Sequence, residues 1–322
     1  MNTGFRIYNK SIGVYILLLF ALLPLSCIKD DSVSTETATV TMTFSTRAIN
    51  SSGSSAGGLE ANEHMRTLRV IVARLNGEIL YNLKYDIAED ETSKTITFSE
   101  MTVNADGEDF NFYAIANEGG VGYSGDWDNV TATDLEDMNL VGGFLTNAND
   151  ASKNTMIPQS AYKQIKVEPQ SGGGIQSETM ELDFAVAKVR LTITNESAGD
   201  QYVNDIQLSG LNMTSTPLFA EWPLSAENNQ GKLSLGDLTI HAGNSATVYA
   251  YFFENTGGEY NLTATWKETS QTLNIKDVAK INEISRGTEL DINITLNATT
   301  TPIFNIEVVP WTTVEVDVPP FN

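Results

Sequence analysis

Cysteine is nearly absent from this sequence, since Cys27 is the only one among 322 residues. A single thiol excludes a disulfide framework within the chain. The fold must therefore be stabilised by its hydrophobic core.

Side chains that catalyse reactions or bind metals are scarce as well. The two histidines, His64 and His241, do not form a pair with metal-ligand spacing. No nucleophile-elbow or phosphate-loop pattern occurs. The stretch "SGDWDN" (124–129) lacks the ligand spacing of a calcium loop and is typical of a solvated turn. We therefore expect a protein that is not an enzyme and has no cofactor or metal.

Positive charge is also in short supply. The chain has 19 Lys and Arg residues against 41 Asp and Glu residues, which gives a formal net charge of −22 at pH 7. Such a balance repels phosphate backbones and anionic lipid surfaces, so we expect no nucleic-acid partner. Acidity of this kind indicates solubility outside the cell and points to no particular partner.

The position of Cys27 indicates what the thiol does. Arg6 and Lys10 precede an uncharged apolar stretch, 11–26, which is short for a membrane span and is typical of a secretory signal. Ser26 directly before Cys27 resembles the end of a bacterial lipoprotein signal, in which the cysteine is lipidated and becomes the new N-terminus. A free cysteine that packs as a small hydrophobe is the alternative.

The residues that follow the cysteine bear on location. "CIKDD" (27–31) resembles the export signal that sends lipoproteins of Bacteroidota to the outer face of the outer membrane. A solvated tether after the lipid anchor is the alternative. We expect an outer-membrane protein at the cell surface.

Nearly every apolar segment alternates with a period of two, which is typical of half-buried β-strands. In "TATVTMTFST" (37–46), Val40, Met42 and Phe44 share one face and threonines take the other. Gly, Asn and Asp separate the segments at the spacing of β-sandwiches. Only 59–66 and 135–142 look helical. The sequence predicts an all-β fold of two tandem β-sandwich domains with Greek-key-like connections and very little helix.

Two flexible stretches suggest how the chain is divided. "NSSGSSAGG" (50–58) follows the first strand, and "EPQSGGGIQSE" (168–178) lies near the middle. The segment 181–195 is predicted as one long strand beyond this boundary. A signal peptide is predicted at 1–26, followed by a lipidated tether with the first strand at 27–47. The N-terminal sandwich is predicted at 48–176 and the C-terminal sandwich at 177–302. A final strand segment covers 303–322.

The final segment is a strand in two parts, broken at Pro310–Trp311. An alternating strand with no partner after it is either an edge strand or a strand meant for another molecule. The apolar positions of the segment are Ile306, Val308, Trp311, Val314, Val316 and Val318.

These features together resemble the FimA-type fimbrillins of Bacteroidota, the subunits of type V pili. The resemblance rests on Cys27, "FSTRA" (44–48), "NFYAIAN" (111–117), "FAVAKVRLTITN" (184–195), "INEISRGTELDINITL" (281–296) and "IEVVPWTTVEV" (306–316). It implies a lipoprotein of two β-sandwiches and a trypsin-like protease that removes the segment through the first strand. It also implies assembly by donor-strand exchange.

The resemblance gives several residues a role. Cleavage between Arg47 and Ala48 would release the lipidated Cys27 and the strand with Val40, Met42 and Phe44. A neighbour's segment 303–318 would then fill the groove, and the partners would be other subunits in a homopolymer that serves adhesion. As alternatives, Arg47–Ala48 is a plain surface dipeptide, and the last strand belongs to its own domain.

Two other assignments stay open. Within the same family the chain is alternatively an anchor, which would keep its lipid, or a tip, which would not need a donor strand. A different class is a glycan-binding surface lipoprotein that holds sugars against exposed aromatic faces of Trp127, Trp222, Trp266 or Trp311. Six N-x-S/T sequons are expected in a Thr- and Asn-rich β protein and need not mean glycosylation, at Asn129, Asn195, Asn212, Asn261, Asn293 and Asn297.

Overall fold

The computed structural model of the chain consists mainly of β-strands. The residues that it describes are 35–46, 59–89, 91–141, 156–169, 174–212, 215–219, 231–256, 259–275, 283–297 and 303–310. Side chains are not described at 141, 255–256, 283 and 303–310. None of the described helices is long and apolar enough to cross a membrane.

The first seven long strands form one sheet, which folds over into a sandwich around a shared core. They are β1 (Thr35–Thr46), β2 (Thr67–Arg74), β3 (Ile79–Asp86), β4 (Ser93–Asn104), β5 (Glu108–Ala116), β7 (Gln159–Val167) and β8 (Gln176–Phe184). Their order is β3-β2-β5-β7-β8-β1-β4. Only two residue pairs join β7 to β8, at Gln159–Phe184 and Ser160–Asp183, so the sheet turns a corner between these strands. The strands on either side of the corner share one hydrophobic core.

The second sandwich consists of two four-stranded sheets with the orders β12-β10-β15-β16 and β13-β9-β18-β19. Buried residues from both sheets form one core. The strands are β9 (Ala187–Asn195), β10 (Gln201–Leu211), β12 (Gly231–Ile240), β13 (Ser245–Phe252), β15 (Asn261–Trp266), β16 (Thr269–Asn274), β18 (Thr288–Leu296) and β19 (Ile303–Pro310).

Small elements fill the connections. Strand β6 (Asn139–Val141) pairs with β11 (Ser215–Pro217), and β14 (Asn255–Thr256) pairs with β17 (Glu283–Ile284). Among the described residues, one α-helix, α1, spans Ala132–Glu136 and begins with a capping box in which Thr131 and Asp134 bond each other's backbone N–H. Two 3₁₀ turns lie at Glu118–Gly120 and Trp127–Asn129. The prediction of an all-β fold with very little helix is confirmed.

The strands follow the alternation of the sequence. In β18, Leu290, Ile292, Ile294 and Leu296 point into the core while the polar residues between them are partly exposed. Connections cross between layers, since the consecutive strands β3 and β4 lie at opposite ends of the first sheet's order.

The prediction of one continuous strand over 181–195 is wrong. The chain leaves the first sandwich at the end of β8 and enters the second at the start of β9, with a bend at Ala185–Val186. Both bend residues are fully buried, so the alternation breaks there. The Ala185 N–H donates to Pro158 O, and Val186 O accepts from Gly287 N–H. The sheets therefore divide at this bend, beyond the Gly-rich stretch that suggested the boundary.

A third hydrophobic cluster joins the two sandwiches. It combines Ile71 and Tyr113 on the outer face of the first sheet with Tyr251 and Phe253 of the second sandwich, and the bend residues are part of it. Backbone bonds cross the same region, because the Leu218 N–H donates to Met138 O at 2.9 Å. The joint is thus a buried layer with its own hydrogen bonds.

Candidate functional site

Strand β1 is an interior strand of the first sandwich. It pairs antiparallel with β4 over Thr35–Ser45 and parallel with β8 over Val40–Thr46. The register slips once, between Ala38 and Val40, and this irregularity lies on the β4 side. Both backbone edges of the strand are therefore hydrogen-bonded over its C-terminal half.

The inward face of β1 belongs to the core. Val40, Met42 and Phe44 are completely buried, and Ala38 is 3% exposed. They pack with residues of β2, β4, β5, β7 and β8 in one cluster. The structure thus places the three sequence-predicted residues where they fill the centre of the sandwich.

The outward face of β1 is a ladder of hydroxyl groups. The Thr41 and Thr97 Oγ1 atoms lie 3.0 Å apart, as do those of Thr43 and Thr95. Cross-strand threonine pairs of this kind contribute roughly 0.2–1 kcal/mol each. The strand is therefore amphipathic, with apolar packing inside and modest polar pairing outside.

Removal of β1 would open a groove in which backbone groups lack hydrogen-bond partners and the core lacks apolar side chains. Strands β4 and β8 would each lose the backbone partner that β1 supplies. The core would lose the completely buried side chains of Val40, Met42 and Phe44. Unpaired edges and exposed apolar grooves are both unfavourable, and a strand from another molecule repairs both together. Such a groove would match an extended peptide in which apolar and polar residues alternate.

The predicted maturation residues flank β1, and they lie outside the described part of the chain. Cys27 belongs to 1–34, and Arg47 and Ala48 belong to 47–58.

Strand β19 contains the first part of the predicted donor segment. It is the edge strand of its sheet and pairs antiparallel with β18, with Ile306 opposite Ile292 and Val308 opposite Leu290. Trp311, Val314, Val316 and Val318 lie outside the described residues. Residues 303–310 thus complete a sheet of their own chain in this structure.

A buried ionic cluster holds the segment after residue 58 against the second sandwich. Lys188 Nζ lies 2.7 Å from Glu63 Oε1, and both side chains are fully buried. The Tyr251 hydroxyl donates to the same carboxylate at 2.8 Å, and Arg190 pairs with Glu289 at 2.7 Å. Since one partner comes from the loop before β2 and the others from β9, β13 and β18, no spacing in the sequence could have predicted this cluster.

A second buried cluster lies on the outer side of β2. Arg69 is 4% exposed and bonds the Glu118 carboxylate, which Lys84 Nζ also contacts at 2.6 Å. Burial raises the pKa of Glu118, but hydrogen bonds from Arg69 and Lys84 outweigh it and hold this pKa below its ordinary value. The carboxylate is therefore ionised and fixed in orientation.

The histidines do not form a chemical centre. His241 directly follows β12, and its Nδ1 lies 3.0 Å from Asp200 Oδ2 on the exposed surface. The His64 backbone carbonyl accepts from Asn117 Nδ2. Within the described residues, no three His, Cys, Asp or Glu side chains are grouped so that they could hold a metal ion.

The loop 124–129 uses its acidic residue for local structure. The Asp126 carboxylate accepts from the Asp128 N–H at 2.9 Å and from Asn129 Nδ2 at 2.6 Å, which caps the 3₁₀ turn. These bonds also lower the pKa of Asp126, the backbone bond contributing most. The structure agrees with a turn at this position.

Two tryptophans lie in described parts of the chain. Trp266 is 9% exposed and donates to Gln201 Oε1 at 2.9 Å, which is a core role. Trp127 is half-buried at the surface, and Trp222 and Trp311 lie outside the described residues. Of the sequons, Asn195 and Asn212 are buried and hydrogen-bonded through Nδ2, so a glycan does not fit on either.

Comparison with known proteins gives no match in sequence and many in structure. No protein-family model and no curated protein matches the sequence. The tip fimbrial protein Mfa3 from Porphyromonas gingivalis, solved with a C-terminal truncation, is 11% identical, with a TM-score of 0.56 over 85% of this chain and 100% of that one. The fimbrilin FimA from the same organism is 10% identical, with a TM-score of 0.53 over 88% of this chain and 99% of that one.

A fimbrial assembly protein from Parabacteroides distasonis is similar as well. It is 11% identical, with a TM-score of 0.52 over 86% of this chain and 99% of that one. At such identities the likeness shows the fold. This chain has the fold of fimbrial and cell adhesion proteins of type V pili, and the resemblance inferred from the sequence is confirmed at that level.

Proposed function

We propose that the chain is a structural subunit of a cell-surface fimbria that assembles by donor-strand exchange after proteolysis and serves adhesion. The observation that carries the proposal is the position of β1. A strand near the N-terminal end of the chain fills the centre of the first sandwich, pairing with β4 and β8. Its removal leaves a groove that accepts an alternating strand.

The proposed order of events follows the chain. Lipidation of Cys27 holds the precursor at the outer membrane, and cleavage after Arg47 releases the lipid together with β1. The groove then takes a strand from the next subunit. Because this contact is heterologous and does not close, it propagates into a fibre.

The pairing of β19 divides the proposed donor into two parts. Donation of all of 303–318 requires β19 to leave β18, to which it is paired over eight residue pairs from Thr288–Pro310 to Thr295–Ile303. Donation of 311–318 alone leaves that pairing intact. We therefore favour residues 311–318 as the inserted part, with β19 as the rigid base from which it extends.

The test is limited trypsin digestion of the chain that begins at residue 28, which retains every described residue. The product is sequenced from its N-terminus and run unheated on a denaturing gel. A product that begins at Ala48, together with a ladder of heat-labile multimers, is expected. The control is Arg47→Gln, which should remain uncut there and monomeric.

Two deletions then locate the donor. Removal of 311–322 should abolish the ladder and leave the stability of the second sandwich unchanged. Removal of 303–322 should also destabilise that sandwich, since β18 loses its partner. A ladder that survives the first deletion but not the second would contradict the assignment to 311–318.

The remaining outcomes distinguish the alternatives. A chain that is cut after Arg47 and stays monomeric is not a shaft subunit, and a tip role replaces the proposal. A chain that retains its lipid and is never cut fits an anchor. A chain that never polymerises in any form and binds polysaccharide is a glycan-binding lipoprotein instead.

A further inference from the structure

A cavity of about 490 Å³ opens beside the start of β2, on the half of the first sandwich that does not contain β1. This volume lies within the roughly 300–1,000 Å³ that small-molecule sites occupy. The groups that matter for a ligand are Arg66, Lys84, Glu118, Gly119, Trp127 and Met156.

The polar groups of the cavity are fixed before any ligand arrives. Glu118 is 7% exposed, and it is bonded by Arg69 and by Lys84 Nζ. The Lys84 side chain itself is 45% exposed, so its remaining donors are available to a ligand. A carboxylate acceptor and an ammonium donor thus lie next to each other with set orientations.

The turn that forms one wall is also fixed. Asn117 adopts a left-handed conformation, with φ 58°, and its side chain bonds the Arg66 N–H and the carbonyls of His64 and Ile157. A Cβ atom added at Gly119 would meet nothing within 4 Å, so this residue faces open space. The Gly119 backbone is therefore exposed beside the cavity, whereas Glu118 and Gly120 are buried.

Trp127 lines the cavity, and contacts with its neighbours hold it in position. Its backbone carbonyl accepts from Asn82 Nδ2 at 2.7 Å, the Arg69 guanidinium lies 5.9 Å from the ring centroid, and Tyr123 packs edge-on at 5.0 Å. The ring is half-buried, which leaves part of it for contact. An aromatic side chain beside paired donors and acceptors suits a ligand with one apolar face and polar edges.

The charge around the cavity selects among such ligands. Arg66 pairs with Glu89 at 2.8 Å, Arg69 with Glu118 and Asp128, and Lys84 with Glu118. Each of the three cations is thus paired with a carboxylate, and Asp126 adds a further negative charge near Arg69. A negatively charged ligand gains no net attraction there.

We propose that this cavity binds a neutral saccharide of one or two rings. A sugar ring would stack its C–H face on Trp127, and its hydroxyls would accept from Lys84 and donate to Glu118. The inference goes beyond assembly, because the cavity shares no residue with β1 or with the groove that β1 fills. A monomer and a polymer should both bind.

The experiment is saturation-transfer NMR with the chain that begins at residue 28. The probes are methyl glycosides of glucose, galactose, mannose and N-acetylglucosamine and their disaccharides, with sialyllactose as an acidic comparison. Trp127→Ala and Lys84→Met should each weaken binding of the responding sugar at least tenfold, and Trp127→Phe should retain most of it. The matched controls are Tyr202→Ala, an aromatic side chain that is 59% exposed on the second sandwich, and Lys166→Met, an exposed lysine paired with Glu168.

The outcomes separate the two proposals. All variants should melt within a few degrees of the parent and should form the trypsin-induced ladder unchanged. The saccharide site is refuted if none of the neutral sugars binds, or if sialyllactose binds better than all of them. It is also refuted if Trp127→Ala binds as the parent does, or if Tyr202→Ala loses binding equally. Loss of the ladder with sugar binding intact would refute the assembly proposal alone.

Discussion

The first sandwich should depend on β1 so strongly that the strand can be supplied as a separate peptide. Val40, Met42 and Phe44 are completely buried. Full burial of such side chains stabilises a fold by about 1.5–3 kcal/mol each, or roughly 5–9 kcal/mol for the three. Whole domains are stable by about 5–15 kcal/mol, so loss of β1 removes a third or more of this stability.

The assay compares the chain that begins at Ala48 with the same chain mixed with a synthetic peptide of residues 35–46. Urea unfolding, followed by tyrosine fluorescence, should show a weakened first sandwich that the peptide restores. A peptide with threonine in place of Val40, Met42 and Phe44 should fail, because it has no apolar face. The matched control carries serine at Thr39, Thr41 and Thr43, changes only the outer face, and should restore stability nearly as well.

Two results would refute this reasoning. One is an unfolding midpoint that is the same with and without β1, which would mean that β4 and β8 close the core on their own. The other is equal rescue by the apolar and the threonine peptides, which would mean that backbone pairing alone decides binding.

Three further predictions concern the buried charges and tyrosines. Lys188→Met should cost about 3–5 kcal/mol in urea unfolding, because it removes the cation 2.7 Å from the buried Glu63, and adding Glu63→Gln should recover part of the loss. Folding lowers the pKa of Glu118 from 4.5. The stability that the ionised carboxylate contributes is therefore present above pH 4.5 and is lost as the pH falls through the lowered pKa. In acid unfolding, the free energy of unfolding of Glu118→Gln should depend less on pH in this range. Burial raises the pKa of Tyr113 and Tyr249 to about 12, and in Tyr249 a bond to a carboxylate adds to the effect. Both should keep their protons in an absorbance titration at 295 nm after exposed tyrosines have ionised, and stability should fall between pH 10 and about 12.

The sequence could predict what local alternation determines. The strands around Phe44 and Ile292 were predictable because apolar and polar residues alternate there over eight or more positions. The bend at Ala185–Val186 was not predictable in the same way. Two adjacent apolar residues look like a continuing strand, and only the contacts of both with the joint between the sandwiches make a bend necessary.

The charged clusters were beyond local patterns for a different reason. Glu63 and Lys188 are 125 positions apart, and each alone looks like a solvated surface residue. Trp127 is an aromatic residue in an acidic turn of the sequence, but the partners that orient it come from β2 and β3. Such sites depend on long-range pairing of strands, which composition and spacing do not encode.

The joint between the sandwiches lies away from β1, so loss of β1 would leave the two sandwiches attached to each other. In the described part of the chain, β1 contributes to the core of the first sandwich and to no part of the cluster that joins the two. The buried ionic cluster of Glu63 and Lys188 and the backbone bond from Leu218 to Met138 involve residues that follow Arg47 in sequence. Cleavage at Arg47 would therefore open the groove while every described contact of the joint stays on the retained chain. A chain processed in this way would keep its two sandwiches fixed to each other.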